Sequence, residues 1–311
     1  MDKAANILIT GASGMVGQSL VKKMTNSGYS NLLLPSSAEL NLLNQQCVEE
    51  YFKQNKIDFI IHLAGTIGGI SDSINRPVEF MYDNLTMAMN IIKIANDNKV
   101  QRLMFLGSSC VYPVHSKQPM KEEYLLKGPF EPTNEGYSIA KVSGIKLCEF
   151  INRQHGLDYY CLMPPNLYGP NDNFDLKTSH VLSALLKKFD NAKVKNLEFV
   201  DVWGSGRTER EFLFVDDLSD AIIYFMNTYD VSELGPFLNI GSNEAISIHD
   251  LSFLIKEITG FRGKIIFNKE MPDGMPKKLM DSSIANSKGW TSSTSLIDGI
   301  NLTYSWYKNN N

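Results

Sequence analysis

"NILITGASGMVGQSLVKKM", residues 6–24, decides how this chain is read. Ile7, Leu8 and Ile9 form an apolar run. Three glycines spaced three apart follow, Gly11, Gly14 and Gly17, and then Val16, Leu20 and Met24 fall on one helical face. The pattern is a buried strand, a glycine turn and an amphipathic helix, with Gly28 as the stop signal. Gly11 permits a tight turn, Gly14 lets the backbone approach a pyrophosphate, and Gly17 lets helix and strand pack closely. The helix N-terminus then faces the phosphate charge. A glycine triplet alone is weak, but the strand before it and the helix after it make it a dinucleotide-binding signal.

The same alternation runs outward from this unit. Apolar strands are expected at 31–35, 58–64, 102–109 and 158–164, with helices at 45–56, 81–99 and 137–156 between them. Continuously apolar strands separated by helices imply a parallel sheet covered on both faces, and repeated crossovers make it doubly wound. From about residue 165 the pattern loosens. Pro164, Pro165, Gly169 and Pro170 mark a loop, helices follow at 179–189 and 215–227, and Asp216 and Asp217 suit the first turn of the latter. The expected class is α/β, a doubly wound parallel sheet of the Rossmann type with a smaller α+β substrate domain. Residues 1–165 form the dinucleotide-binding domain, with a returning segment near 212–242, and residues 166–311 form the substrate domain.

Composition narrows the function. The 311 residues are 43% hydrophobic and 21% charged, with a net charge of −4. That balance gives no general attraction to nucleic acid or to an anionic membrane. No stretch nears the roughly 18 apolar residues of a membrane span, and no secretory signal opens the chain. Four cysteines, Cys47, Cys110, Cys148 and Cys161, match no CxxC or zinc spacing, so no metal is expected. The reading is a cytoplasmic protein with reduced thiols and a small-molecule partner. Cys47, Cys148 and Cys161 fall on apolar faces or in a strand.

The chemistry gathers in two strings. "YSIAK" puts Tyr137 and Lys141 four residues apart on one helix face. A phenol with a reference pKa of about 10 is a poor acid–base group at neutral pH, and a neighbouring ammonium is expected to lower that value. Ser108, at the end of a strand, can hydrogen-bond the substrate oxygen that Tyr137 protonates. A nicotinamide could then deliver hydride to a carbonyl carbon. For the cofactor, "LLLPSSAEL" puts Ser36 and Ser37 where an acid would select NAD and an arginine NADP. Serines can donate to a phosphate, so NADP is favoured over NAD.

Together, TGxxGxxG, "GSSCVYP", "EPTNEGYSIAK", "SGIKLCE", "MPPNLYGPNDNF", "SHVLSALL", "VWGSG" and "REFLFVDD" resemble the GDP-L-fucose synthase family of extended short-chain dehydrogenase/reductases. The resemblance implies a homodimer that binds a GDP-linked keto-sugar and NADPH. It also implies 3,5-epimerisation and then 4-reduction of a GDP-4-keto-6-deoxy-sugar, or 4-reduction alone of a sugar epimerised elsewhere, such as a heptose. By the resemblance Cys110 is the epimerising base and His180 the acid. Ser13, Met15, Ser36, Asn41, Leu42, Ala64, Pro164, Asn166 and Leu167 join the glycines, Tyr137 and Lys141 around the cofactor. Asn166, His180, Lys188, Trp203, Arg210 and Lys278 face the substrate. The chain departs from the family in "GASG", residues 11–14, and at the end of the second strand, in each of which an arginine is common. It departs again at Gly65–Thr66, where Ala–Lys is usual, and at Pro165 and Phe214, where Thr and His are usual and which are expected near the sugar.

Overall fold

Four consecutive buried residues, Ile7–Thr10, form β1, and the glycine turn leads from them into α1 (Met15–Asn26). These elements belong to a computed structural model that describes residues 2–271 and 273–310. The alternation continues through β2 (Leu32–Leu33), α2 (Gln45–Gln54), β3 (Phe59–His62), α3 (Ile70–Asn75), α4 (Pro77–Asp97), β4 (Arg102–Leu106), α5 (Glu135–His155) and β5 (Asp158–Met163). The rest of the chain supplies β6 (Asn166–Tyr168), α6 (Val181–Val194), β7 (Phe199–Trp203), β8 (Glu209–Phe214), α7 (Val215–Thr228), α8 (Val231–Leu234), β9 (Phe237–Asn239), β10 (Ala245–Ser247), α9 (Ile248–Thr259), β11 (Lys264–Asn268), β12 (Lys277–Lys278), α10 (Ser283–Ser287) and α11 (Leu296–Asn310).

The main sheet has the order β2-β1-β3-β4-β5-β9, and every pair in it is parallel. Alternate residues of each strand go to opposite faces. Leu8, Ile60, Leu103 and Phe105 pack under α2, α4 and α5 through Val48, Ile91 and Ile145. Ile7, Ile9, Ile61 and Met104 pack on the other face against Leu20 and Met24 of α1 and Leu218, Ile222 and Phe225 of α7. The chain thus returns after β8 to cover the first sheet with α7 and extend it with β9. A third apolar cluster, with Phe189, Val200, Phe212, Leu251, Ile255 and Tyr307, fills a smaller lobe. There β8 lies between β10 and β12 and also pairs with β6, while β7 pairs with β11. No helix among the described residues is long and apolar enough to cross a membrane.

The strand order reverses between β1 and β3, which is where open α/β sheets place their ligands. Here the turns after the two strands touch: a Cβ on Gly11 would lie 2.7 Å from the Ala64 nitrogen. Element ends differ from the sequence reading where apolar periodicity is silent. The fourth helix starts at Pro77 rather than at 81, because proline's fixed φ suits a first helical position although the flanking Val78 is exposed. The short α3 was not expected, since its isoleucines show no helical stripe.

Candidate active site

The glycine turn forms an anion cradle. Gly11 sits at φ +73° and accepts a hydrogen bond from the Gly14 nitrogen at 3.1 Å. A Cβ on Gly17 would lie 2.5 Å from the Ala12 Cα, so only glycine lets α1 pack this close. A Cβ on Gly14 would meet nothing nearer than the Gly11 oxygen at 3.4 Å, which leaves the outer side of the turn open. α1 has no side-chain cap and no acid in its first turn, so its leading N–H groups are free to face a diphosphate. The residues therefore fit a dinucleotide. Replacing Gly17 by Ala should cost about 1–3 kcal/mol through overpacking and weaken NADPH binding at least about tenfold. Thermal melting and a fluorescence titration check this.

The other expected cofactor residues divide by environment. Ser13 is exposed, Met15 is half-buried, and Ala64 lies at the switch point. Asn41 is exposed, and its side chain accepts from the Leu43 nitrogen at 3.0 Å. Leu42 turns into the core, and its carbonyl accepts from Asn90 Nδ2 at 2.8 Å, so its part is to support the wall. Pro164 offers its carbonyl to the Ser109 nitrogen at 3.0 Å, and Leu167 packs on the second apolar cluster. At the end of β2 a carboxylate stands where the sequence reading saw none. Glu39 Oε2 accepts from both the Ser36 nitrogen and Oγ, each at 2.8 Å, and these bonds hold its carboxyl below the usual range.

Beyond β4, Ser108 is extended and its Oγ accepts from the Cys110 nitrogen at 3.3 Å. α5 carries Tyr137 on its first turn and Lys141 one turn later. Lys141 is buried, and its Nζ donates to the Leu106 carbonyl at 2.8 Å, 4.8 Å over the Phe105 ring and 5.6 Å from the Tyr137 ring centroid. Burial pushes Lys141 down to about 8, while the Cys161 and Cys110 thiols pull it back. The expected depression of Tyr137 by Lys141 is not what the site does. Burial pushes the phenol up, the charge of Cys110 adds to that, and the Ser108 hydroxyl works against both. Desolvation outweighs an ammonium that is already engaged by a carbonyl. Tyr137 therefore stays protonated at neutral pH, the state a proton donor requires.

Across the cleft, Lys278 of β12 donates from Nζ to Cys110 Sγ at 3.4 Å. Burial pushes the Cys110 thiol up, but the Lys278 charge, the Ser108 hydroxyl and Asn134 together bring it below the ordinary thiol value. His180 is the N-cap of α6. It is exposed to solvent on one side and backed by protein on the other, and that partial desolvation, followed by the Lys278 charge, lowers its pKa. Sequence reasoning placed Lys278 on the substrate and missed its bond to Cys110, which lies 168 residues away along the chain. It missed Asn134 as well, although the residue stands inside "EPTNEGYSIAK".

Residues 7–241 match the NAD dependent epimerase/dehydratase family. The chain belongs to that family. Within it the chain is similar to GDP-L-fucose synthase 1 of Arabidopsis thaliana, 46% identical over 99% of this chain and 95% of the relative. A solved GDP-6-OMe-4-keto-L-xylo-heptose reductase from C. jejuni superposes with a TM-score of 0.96 at 34% identity, covering 100% of this chain and 99% of the other. The GDP-mannoheptose C4 reductase from Campylobacter jejuni with NADP bound gives 0.91 at 34% identity, with 99% of each chain covered.

The smaller lobe of this epimerase/dehydratase family member holds the expected substrate residues. Asn166 Nδ2 donates to the Glu211 carbonyl at 3.0 Å. Lys188 Nζ donates to the Asp201 carbonyl at 3.0 Å and sits 5.3 Å over the ring of Trp203, an exposed residue. Arg210 donates to the carbonyls of Glu209 (2.8 Å), Met275 (2.6 Å) and Asp273 (3.3 Å), so its guanidinium clasps the 273–275 loop. Holding a diphosphate would require some of these bonds to exchange. Two departures from the family read differently in three dimensions. Phe214 is buried against Tyr168 (centroids 5.6 Å apart) in the third apolar cluster. Thr66 is tied to α4, its nitrogen donating to Asn84 Oδ1 at 3.0 Å and its hydroxyl to Asp83 at 3.3 Å.

Proposed function

We propose that this protein reduces the 4-keto group of a GDP-4-keto-6-deoxy-sugar with NADPH and also epimerises C3 and C5. One observation carries the reading: beyond the carboxyl end of β4 the Ser108 hydroxyl takes the Cys110 N–H at 3.3 Å, Lys278 Nζ lies 3.4 Å from Cys110 Sγ, and Lys141 Nζ lies 5.6 Å from the Tyr137 ring centroid, so a phenol with its lysine and a thiol with its own lysine share one site. When bound, the nicotinamide supplies the hydride. Ser108 and Tyr137 hold the sugar's carbonyl oxygen, and Tyr137 gives that oxygen its proton as C4 is reduced. Lys141, anchored by the Leu106 carbonyl, keeps a positive charge beneath this pair and lies where a ribose hydroxyl can reach it.

Epimerisation uses the acidity of C–H bonds beside a carbonyl. Cys110 Sγ removes the proton from C3 or C5, and the electron pair moves into an enolate stabilised by the Ser108 and Tyr137 hydroxyls. His180 then returns a proton to the opposite face. The active form needs Cys110 ionised and His180 protonated, so exchange follows a bell in pH. It falls in acid as Cys110 protonates and in base as His180 deprotonates. Lys278 lowers both values. Replacing Lys278 by Met should therefore move the whole bell to higher pH, measured as deuterium exchange against pH.

NADPH is the proposed cofactor, in keeping with the NADP-bound heptose reductase to which the chain is similar. For Ser36 to meet a 2′-phosphate it has to release Glu39. A homodimer through α4 and α5 belongs to the same proposal; Val78, Met81 and Tyr82 on α4 and Phe150 on α5 are exposed apolar side chains. Light scattering should give twice the chain mass, and a monomer at micromolar concentration would rule the dimer out. The function is tested by incubating the protein with GDP-4-keto-6-deoxy-mannose in deuterated buffer without cofactor. Deuterium should enter C3 and C5. No exchange here, beside NADPH oxidation in a parallel incubation that contains the cofactor, would leave a 4-reductase alone.

A further inference from the structure

β12 has only two residues, too few to hold Lys278 on Cys110 by strand pairing alone. What fixes it lies on β8, in a residue the proposed chemistry does not use. Glu211 is 0% exposed and makes no ion pair among the described residues. A buried carboxylate without a cation is costly unless donors satisfy it. Here Oε2 accepts from the Met280 nitrogen at 2.7 Å. Oε1 accepts from the Asn243 nitrogen at 2.8 Å and from Ser242 Oγ at 3.3 Å. A carboxylate can accept on both oxygens, whereas a glutamine would turn an N–H toward one of the two backbone N–H groups.

The other side of the same segment is held by the loop before α5. Met120 donates from nitrogen to the Leu279 carbonyl (2.7 Å) and accepts from the Asp281 nitrogen (2.8 Å), and Gln118 Oε1 accepts from the Leu279 nitrogen (2.9 Å). The Glu209 nitrogen donates to the Pro276 carbonyl at 2.8 Å, just ahead of Lys278. The lysine's backbone is thus clamped before and after, and Glu211 is the carboxyl part of the clamp; burial pushes it up to about 7, against the hydrogen bonds from Met280, Asn243 and Ser242 that favour the carboxylate.

We propose that Glu211 is a positioning residue: by accepting the Met280 N–H it sets the strand that holds the Lys278 ammonium on Cys110 Sγ. Its catalytic consequence rests on Cys110 acting as the base, but the juxtaposition does not, so the test reads the thiol and needs no sugar. Cys110 alkylation by iodoacetamide is followed against pH by peptide mass spectrometry in the wild type, Lys278→Met, Glu211→Gln and the double variant. Lys278→Met should move the profile to higher pH and slow the reaction near neutrality about tenfold, one pKa unit of thiolate. Glu211→Gln should move it the same way, by about threefold or more. In the double variant the second change should add nothing to Lys278→Met, as expected when one residue acts through the other. Cys148 and Cys161, both buried, should stay unmodified throughout. An unshifted Glu211→Gln profile, or effects that simply add, would overturn the proposal. If Glu211→Gln exposes the buried thiols, Glu211→Asp takes its place. It keeps the charge but draws it back from Met280, and the same two results decide. Loss of C3 and C5 exchange in the wild type would remove the base assignment while leaving this cycle intact.

Discussion

Replacing Tyr137 by Phe should cut reduction of the 4-keto group by about a hundredfold or more while NADPH binds as before. The expectation follows from where the hydroxyl is and what keeps its proton. Burial and the neighbouring Cys110 charge both oppose the phenolate, so the resting residue carries the proton that the reduced oxygen needs. The ring itself meets Phe80 edge-on at 6.5 Å, a contact that Phe preserves. Lys141 keeps its anchor on the Leu106 carbonyl in the variant, so the ribose side of the site is undisturbed. Single-turnover reduction of a ready-epimerised substrate, beside a fluorescence titration with NADPH, separates the two effects. Near-normal turnover would mean that another group or water donates the proton.

The second large effect is at Cys110. Cys110→Ser should abolish C3 and C5 exchange, a loss of about a hundredfold or more, because a serine hydroxyl does not ionise under conditions where this thiol does. Reduction of a ready-epimerised ketone should continue. The backbone role of the residue survives the change: its nitrogen still donates to Ser108 Oγ and its carbonyl still accepts from Ser138 Oγ at 2.8 Å. The variant also removes the charge that pushes Tyr137 up, so the phenol should titrate at lower pH than in the wild type. A parallel loss of both activities would make Cys110 a packing residue.

How much of this was legible in the sequence varies with distance along the chain. The β1–turn–α1 unit was legible because its signals are local. The glycine spacing, the apolar strand and the helical stripe all lie within twenty residues of one another, and each is a direct steric requirement. Tyr137 and Lys141 were legible for the same reason, being one helical turn apart. The pairing of Lys278 with Cys110 was not, because only the fold of β12 beside β8 brings the two together. Glu39 was visible as a letter, but its turn back onto Ser36 depends on the loop after β2, whose path the sequence does not show. The direction of the Tyr137 shift was misread because a sequence shows a lysine one turn away and not how deeply the phenol is buried.

The measurement closest to the central claim follows the hydride itself. The protein is given GDP-4-keto-6-deoxy-mannose and NADPH carrying deuterium at the transferable position, and the product is examined by NMR. The account predicts deuterium at sugar C4 together with solvent-derived hydrogen at C3 and C5. A product with no label at C4, or a keto-sugar recovered unreduced, would contradict it.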